Sequence, residues 1–102
     1  MHRGYAVETA ADGWQAIKTI RERSFEAAIV DLDLPPVHGV DVGGWDLVRI
    51  FRAYNPAIAI IVVSAVHDAA LQLRAEQLRV AAFLEKPISL VEVAAILRRI
   101  AS

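Results

Sequence analysis

Three short apolar runs, each ending at a polar residue with chemistry to offer, constrain this chain more than any other feature. Residues 25–30 form a nearly continuous apolar stretch that stops at Asp31. Residues 57–63 form a second that stops at Ser64, and residues 80–84 a third that leads into Glu85, Lys86 and Pro87. Runs of this length without alternation read as strands buried on both faces. Between them lie stretches with helical spacing. Trp14, Ile17 and Ile20 recur at helical intervals to about residue 23, behind Asp12 as a cap with Gln15 three positions on. Trp45, Val48 and Phe51 or Arg52 carry the next helix, which stops before Asn55 and Pro56. Residues 68–77 make another. Ser89 and Glu92 open the last as a capping box, with Leu90, Val93, Leu97 and Ile100 as its inner face.

With residues 5–10 read as a further strand, the order is βαβαβαβα. Such alternation gives a parallel sheet with helices on both faces. In open sheets of this class, function gathers beyond the carboxyl ends of the strands. Asp31, Ser64 and Lys86 all fall at such ends. A carboxylate can attack phosphorus, a hydroxyl can donate to a phosphoryl oxygen, and an ammonium can neutralise the charge. An acidic, oxygen-rich rim also suits Mg²⁺. Each residue alone has a plainer reading: Asp31 as a turn residue, Ser64 as a helix cap, Lys86 as a solvated cation. Their shared position argues for an aspartyl-phosphate site. Lys86 is one of only two lysines against nine arginines, which adds to its interest.

Composition narrows the classes. With 102 residues, 56% of them hydrophobic, one packed domain spanning 1–102 is expected. The net charge is -1, so no basic excess points to nucleic acid. There is no cysteine, which excludes disulfides and thiolate chemistry. No apolar run is long enough for a bilayer, and residues 1–5 hold no signal core, so a cytoplasmic protein without a membrane partner is expected. His2, His38 and His67 are scattered and form no helical metal pair.

Five segments carry a resemblance to a known family. GYAVETAADGWQA at 4–16, IVDLDLP at 29–35, GWDLVR at 44–49, VSA at 63–65 and FLEKP at 83–87 stand in order and at the right spacing. Together they resemble the receiver domain of bacterial two-component response regulators, CheY-like and flavodoxin-like in fold. The resemblance implies that Asp31 is the phosphoacceptor and that Asp33 offers its backbone carbonyl to Mg²⁺ alongside Asp31. It implies that Ser64, Ala65 and Lys86 bind the phosphoryl group. Phe83 would be the aromatic that changes rotamer as Ser64 moves inward, and plain core packing is its alternative reading. The Lys86–Pro87 bond would be cis, a form taken by only about 5–6% of such bonds. A histidine kinase or phosphotransfer protein would be the partner.

The chain also departs from the family. The family's first strand, with its pair of acidic metal ligands, and first helix are absent, and no adjacent Asp/Glu pair replaces them. A truncation or a misassigned start codon would explain this. Weak or absent Mg²⁺ binding is the expectation, with phosphorylation slow or absent. The missing strand is central in the family order 2-1-3-4-5. Its loss would expose strand edges, so a homo-oligomer, possibly strand-swapped, is expected. The loop before Gly44 is longer than the family pattern, and Arg79-Val80 stands where the family has Gly-Ala. Two other readings stay open. One is a pseudo-receiver, an interaction module that is never phosphorylated. The other is a fragment of a haloacid-dehalogenase-type phosphatase, with Asp31 as nucleophile and Asp33 as acid/base. That enzyme needs later acidic metal ligands, and only Glu92 follows Lys86.

Overall fold

In a computed structural model of the chain, residues 13–22, 25–33 and 43–101 are described. Their elements run α1 (Gly13–Glu22), β1 (Ala27–Asp31), α2 (Gly44–Tyr54), β2 (Ala59–Ser64), α3 (Ala69–Gln77), β3 (Ala82–Glu85) and α4 (Leu90–Ala101). The strand expected over 5–10, the Asp12 cap, His2, His38 and the loop over 34–42 lie outside the described residues.

The three strands form a parallel sheet in the order β1-β2-β3. β2 is central, and its residues alternate between two cores, as a two-residue side-chain period requires. Ile60 and Val62 join Ile20, Val30, Leu47, Val48, Phe51 and Ile58 on the face covered by α1 and α2. Ile61 and Val63 join Leu84, Val93 and Ile96 on the face covered by α4. Helices on both faces of a parallel sheet are the flavodoxin-like arrangement expected from the alternation.

Several local expectations need correction. β1 is not buried on both faces: Val30 is buried, but Ile29 on the opposite face is 50% exposed. Among the described residues β1 is an edge strand, with β2 as its one strand neighbour. Leu90 is not on the inner face of α4; it is 84% exposed at the first turn, and Ile96 takes the buried place beside Val93. Arg52 does not pack inward as an alternative to Phe51. Its guanidinium donates to the carbonyls of Leu78 and Arg79 at 2.5 Å each, tying α2 to the end of α3. The second strand begins at Ala59 rather than residue 57. Asn55 closes the turn before it, accepting from the Ala57 N–H and donating to the Phe25 carbonyl. In the third run only Leu84 is buried, and Val80 precedes the strand.

Two turns position the rim. Arg79 takes a left-handed conformation, φ 55°, where a glycine would carry no Cβ penalty; its departure from the family's Gly is therefore accommodated at a conformational cost. Gly44 opens α2 directly against the end of β1. A Cβ there would lie 2.5 Å from Leu32 Cδ2 and 3.2 Å from Leu32 Cα. Alanine normally favours a helix over glycine by about 1 kcal/mol, but the backbone of Leu32 cannot give way as a side chain can. Gly44→Ala is expected to destabilise the fold by about 1–3 kcal/mol through overpacking, read as a lower midpoint in urea with unchanged slope.

Candidate functional site: a carboxylate–lysine–hydroxyl rim

The strand register builds the site. Asp31 pairs with Val63 across β1 and β2, and Ser64 pairs with Glu85 across β2 and β3. The residue following each pair continues the ladder: Leu32 N–H donates to the Val63 carbonyl at 2.9 Å, and Lys86 N–H to the Ser64 carbonyl at 2.9 Å. Three sequence-distant polar groups are thereby held at one carboxyl rim.

Their side chains meet. Lys86 Nζ lies 2.8 Å from Asp31 Oδ2 and 3.1 Å from Asp33 Oδ2. Ser64 Oγ donates to Asp33 Oδ1 at 3.1 Å, and the Ala65 backbone N–H donates to Asp33 Oδ2 at 2.7 Å. The Asp33 N–H in turn donates to Asp31 Oδ1 at 2.8 Å. Ser64 is 2% exposed, the one buried polar residue among those described, whereas the side chains of the two carboxylates and the lysine keep about a third of their surface in water. Ser64 Oγ also accepts from the Val66 N–H at 3.1 Å, so its hydroxyl both donates and accepts. The Lys86–Pro87 peptide bond is cis.

The electrostatics follow the contacts. The Ala65 N–H and then the Lys86 ammonium hold the Asp33 carboxyl below the usual carboxylate range. Asp31 first, and Asp33 second, push the Lys86 ammonium above its ordinary value. The Asp33 carboxylate and the Lys86 ammonium are therefore both charged at neutral pH. Among the described residues no group of three or more His, Asp or Glu side chains is placed to hold a metal ion.

Two engagements escaped the sequence reading. Asp33 was expected to act through its carbonyl, yet its carboxylate makes the most contacts on the rim. An acid two residues past Asp31 was the available signal. His67, read from the sequence only as one of three scattered histidines, lies against Phe83 with ring centroids 4.3 Å apart and planes tilted by 33°. Its Nε2 lies 2.9 Å from Gln72 Oε1. Phe83 is partly buried against the α1–α2 core. Beside the rim, a shallow pocket of about 360 Å³ is lined by Leu32, Asp33, Gly44, Trp45, Ser64 and Leu71 among others. Arg74 lies over the Trp45 ring at 5.7 Å.

The profile of the response regulator receiver domain family matches residues 1–98. The chain belongs to the response regulator receiver domain family. It is 27% identical over 95 residues to the transcriptional regulatory protein CusR of Escherichia coli, covering 93% of this chain and 40% of that protein. The chain thus spans less than half the length of that relative. Among solved structures it is similar to the non-phosphorylated receiver domain of HemR from Leptospira biflexa, with 30% identity, a TM-score of 0.80, and coverage of 96% of this chain and 75% of the other. It is also similar to a response regulator from Burkholderia pseudomallei that carries a phosphorylated aspartic acid, a calcium ion and citrate. That match has 29% identity, a TM-score of 0.78, and coverage of 92% and 52%. No helix among the described residues is long and apolar enough to cross a membrane.

Proposed function

We propose that the chain is a single cytoplasmic receiver domain, residues 1–102, that takes a phosphoryl group on Asp31 from a phosphohistidine of a partner kinase or phosphotransfer protein. The observation that carries this reading is the Lys86 ammonium 2.8 Å from the Asp31 carboxylate, with the Ser64 hydroxyl and Ala65 N–H on the same rim. An Asp31 oxygen attacks phosphorus, the P–N bond to the donor imidazole breaks, and the freed nitrogen regains its proton from solvent. Little covalent work falls to the protein in such a transfer; positioning and charge stabilisation carry it. Lys86 offsets the charge on the phosphoryl oxygens, and Ser64 and Ala65 are placed to donate to them.

Asp31 and the Asp33 carbonyl would hold Mg²⁺, whose charge stabilises the transferring group. Two protein oxygens with the rest water is within the habits of this ion but makes a weak site. The response is a population shift in which Ser64 turns toward the phosphoryl group and Phe83 follows. Pairing of two copies through β1, an edge strand among the described residues with Ile29 half-exposed, belongs to the same reading.

Acetyl phosphate with excess MgCl₂ tests it. A single phosphoryl adduct by intact mass, labile to hydroxylamine, is the expected result. Continuous turnover of an aryl phosphate would instead indicate the phosphatase reading. No adduct, and no spectral change with beryllofluoride, would leave an interaction module that is never phosphorylated.

A further inference from the structure

Resting on that reading of the rim, the geometry points to a second role for Asp33: we propose that its carboxylate is a built-in competing anion that fills the phosphoryl-oxygen subsite of the unmodified chain. All three donors suited to a phosphoryl group are engaged by this one side chain. Oδ1 takes the Ser64 hydroxyl at 3.1 Å; Oδ2 takes the Ala65 N–H at 2.7 Å and the Lys86 ammonium at 3.1 Å. A hydroxyl, a backbone N–H and an ammonium converging on two anionic oxygens form charge-assisted contacts of the stronger kind. A phosphoryl group on Asp31 needs the same donors, and two anions cannot share them. Like charge at that distance also disfavours joint occupancy.

The device is reversible by construction. The Asp33 side chain keeps 34% of its surface in water, so it has solvent to swing into when it leaves the donors. Its backbone stays anchored, because the Asp33 N–H donates to Asp31 Oδ1. The carboxylate therefore leaves and returns from a fixed pivot. Asp33 keeps the donors of the rim occupied at rest and sets a threshold that an incoming phosphoryl group must overcome.

The test uses the ¹⁵N-labelled full chain and inorganic phosphate without metal, read at the Ala65 amide resonance. Asp33→Ala is expected to half-saturate at a phosphate concentration at least ten-fold lower than the unsubstituted chain. Asp31→Ala removes the same charge from beside Lys86 but leaves Ser64 and Ala65 occupied, so its gain should be clearly smaller. Asp33→Asn, which keeps an acceptor in place without charge, should fall between. Equal gains for Asp33→Ala and Asp31→Ala would reduce the effect to net charge and overturn the proposal, as would no gain in Asp33→Ala. The titration does not involve phosphorylation of Asp31. A gain without acetyl phosphate labelling sinks the acceptor reading alone, and labelling without a gain sinks this one alone.

Discussion

Asp31→Asn is expected to abolish phosphoryl incorporation from acetyl phosphate while leaving the fold intact. The amide keeps the size and one acceptor of the carboxylate, so the Asp33 N–H contact at Asp31 Oδ1 survives. What disappears is the nucleophile, since a neutral amide oxygen does not form a stable phosphoryl adduct under these conditions. Asp31 is 28% exposed at its side chain, and loses only its ion pair with Lys86, which retains Asp33 at 3.1 Å. Exposed pairs of this type contribute at most about 1 kcal/mol, so the unfolding midpoint should barely move. Lys86→Ala gives the complementary result: the nucleophile remains, and labelling should slow by about 10²–10³-fold, the usual loss on removing one electrostatic stabiliser. Labelling of the Asp31→Asn chain at the wild-type rate would place the acceptor elsewhere.

The largest effect on stability should come from the central strand rather than the site. Ile61 is 0% exposed and packs with Val63, Leu84, Val93 and Ile96 between the sheet and α4. Ile61→Ala is expected to cost about 2–5 kcal/mol, the lost transfer energy plus the cavity left behind. A domain of this size holds about two or three times that in total, so the midpoint temperature should fall by roughly 10–30 °C. The control is Leu90→Ala. Read from the sequence, Leu90 belongs to the inner face of the last helix and should cost as much. At 84% exposure it should change stability by no more than about 0.5 kcal/mol. Differential scanning calorimetry of the two variants separates these cases.

That contrast shows where the amino-acid pattern suffices and where it does not. Alternation of apolar runs with helical spacing dictates a parallel sheet with two covered faces, because neither element can bury its apolar side alone. It also places Asp31, Ser64 and Lys86 at strand ends, since strand length and direction are local properties. Helix ends are less legible. The Ser89 cap is present, its Oγ accepting from the Glu92 N–H at 3.3 Å, yet one turn of helix can point its first apolar residue at solvent or core with equal local cost. Ile29 illustrates the same limit in a strand: its apolar character signals burial, yet it is half exposed, because which face is covered depends on what packs over the sheet and not on the strand's own residues.

The chain alone thus determined the class of fold and which three residues share a rim, because periodicity and strand polarity are written in consecutive positions. Only the tertiary structure decided what those residues do to one another. The register between β1, β2 and β3 brings Lys86 within 2.8 Å of Asp31 and turns the Asp33 carboxylate onto Ser64 and Ala65. Side chains more than thirty positions apart have no local preference for one another; their meeting is set by how the strands align, and alignment is a property of the packed sheet.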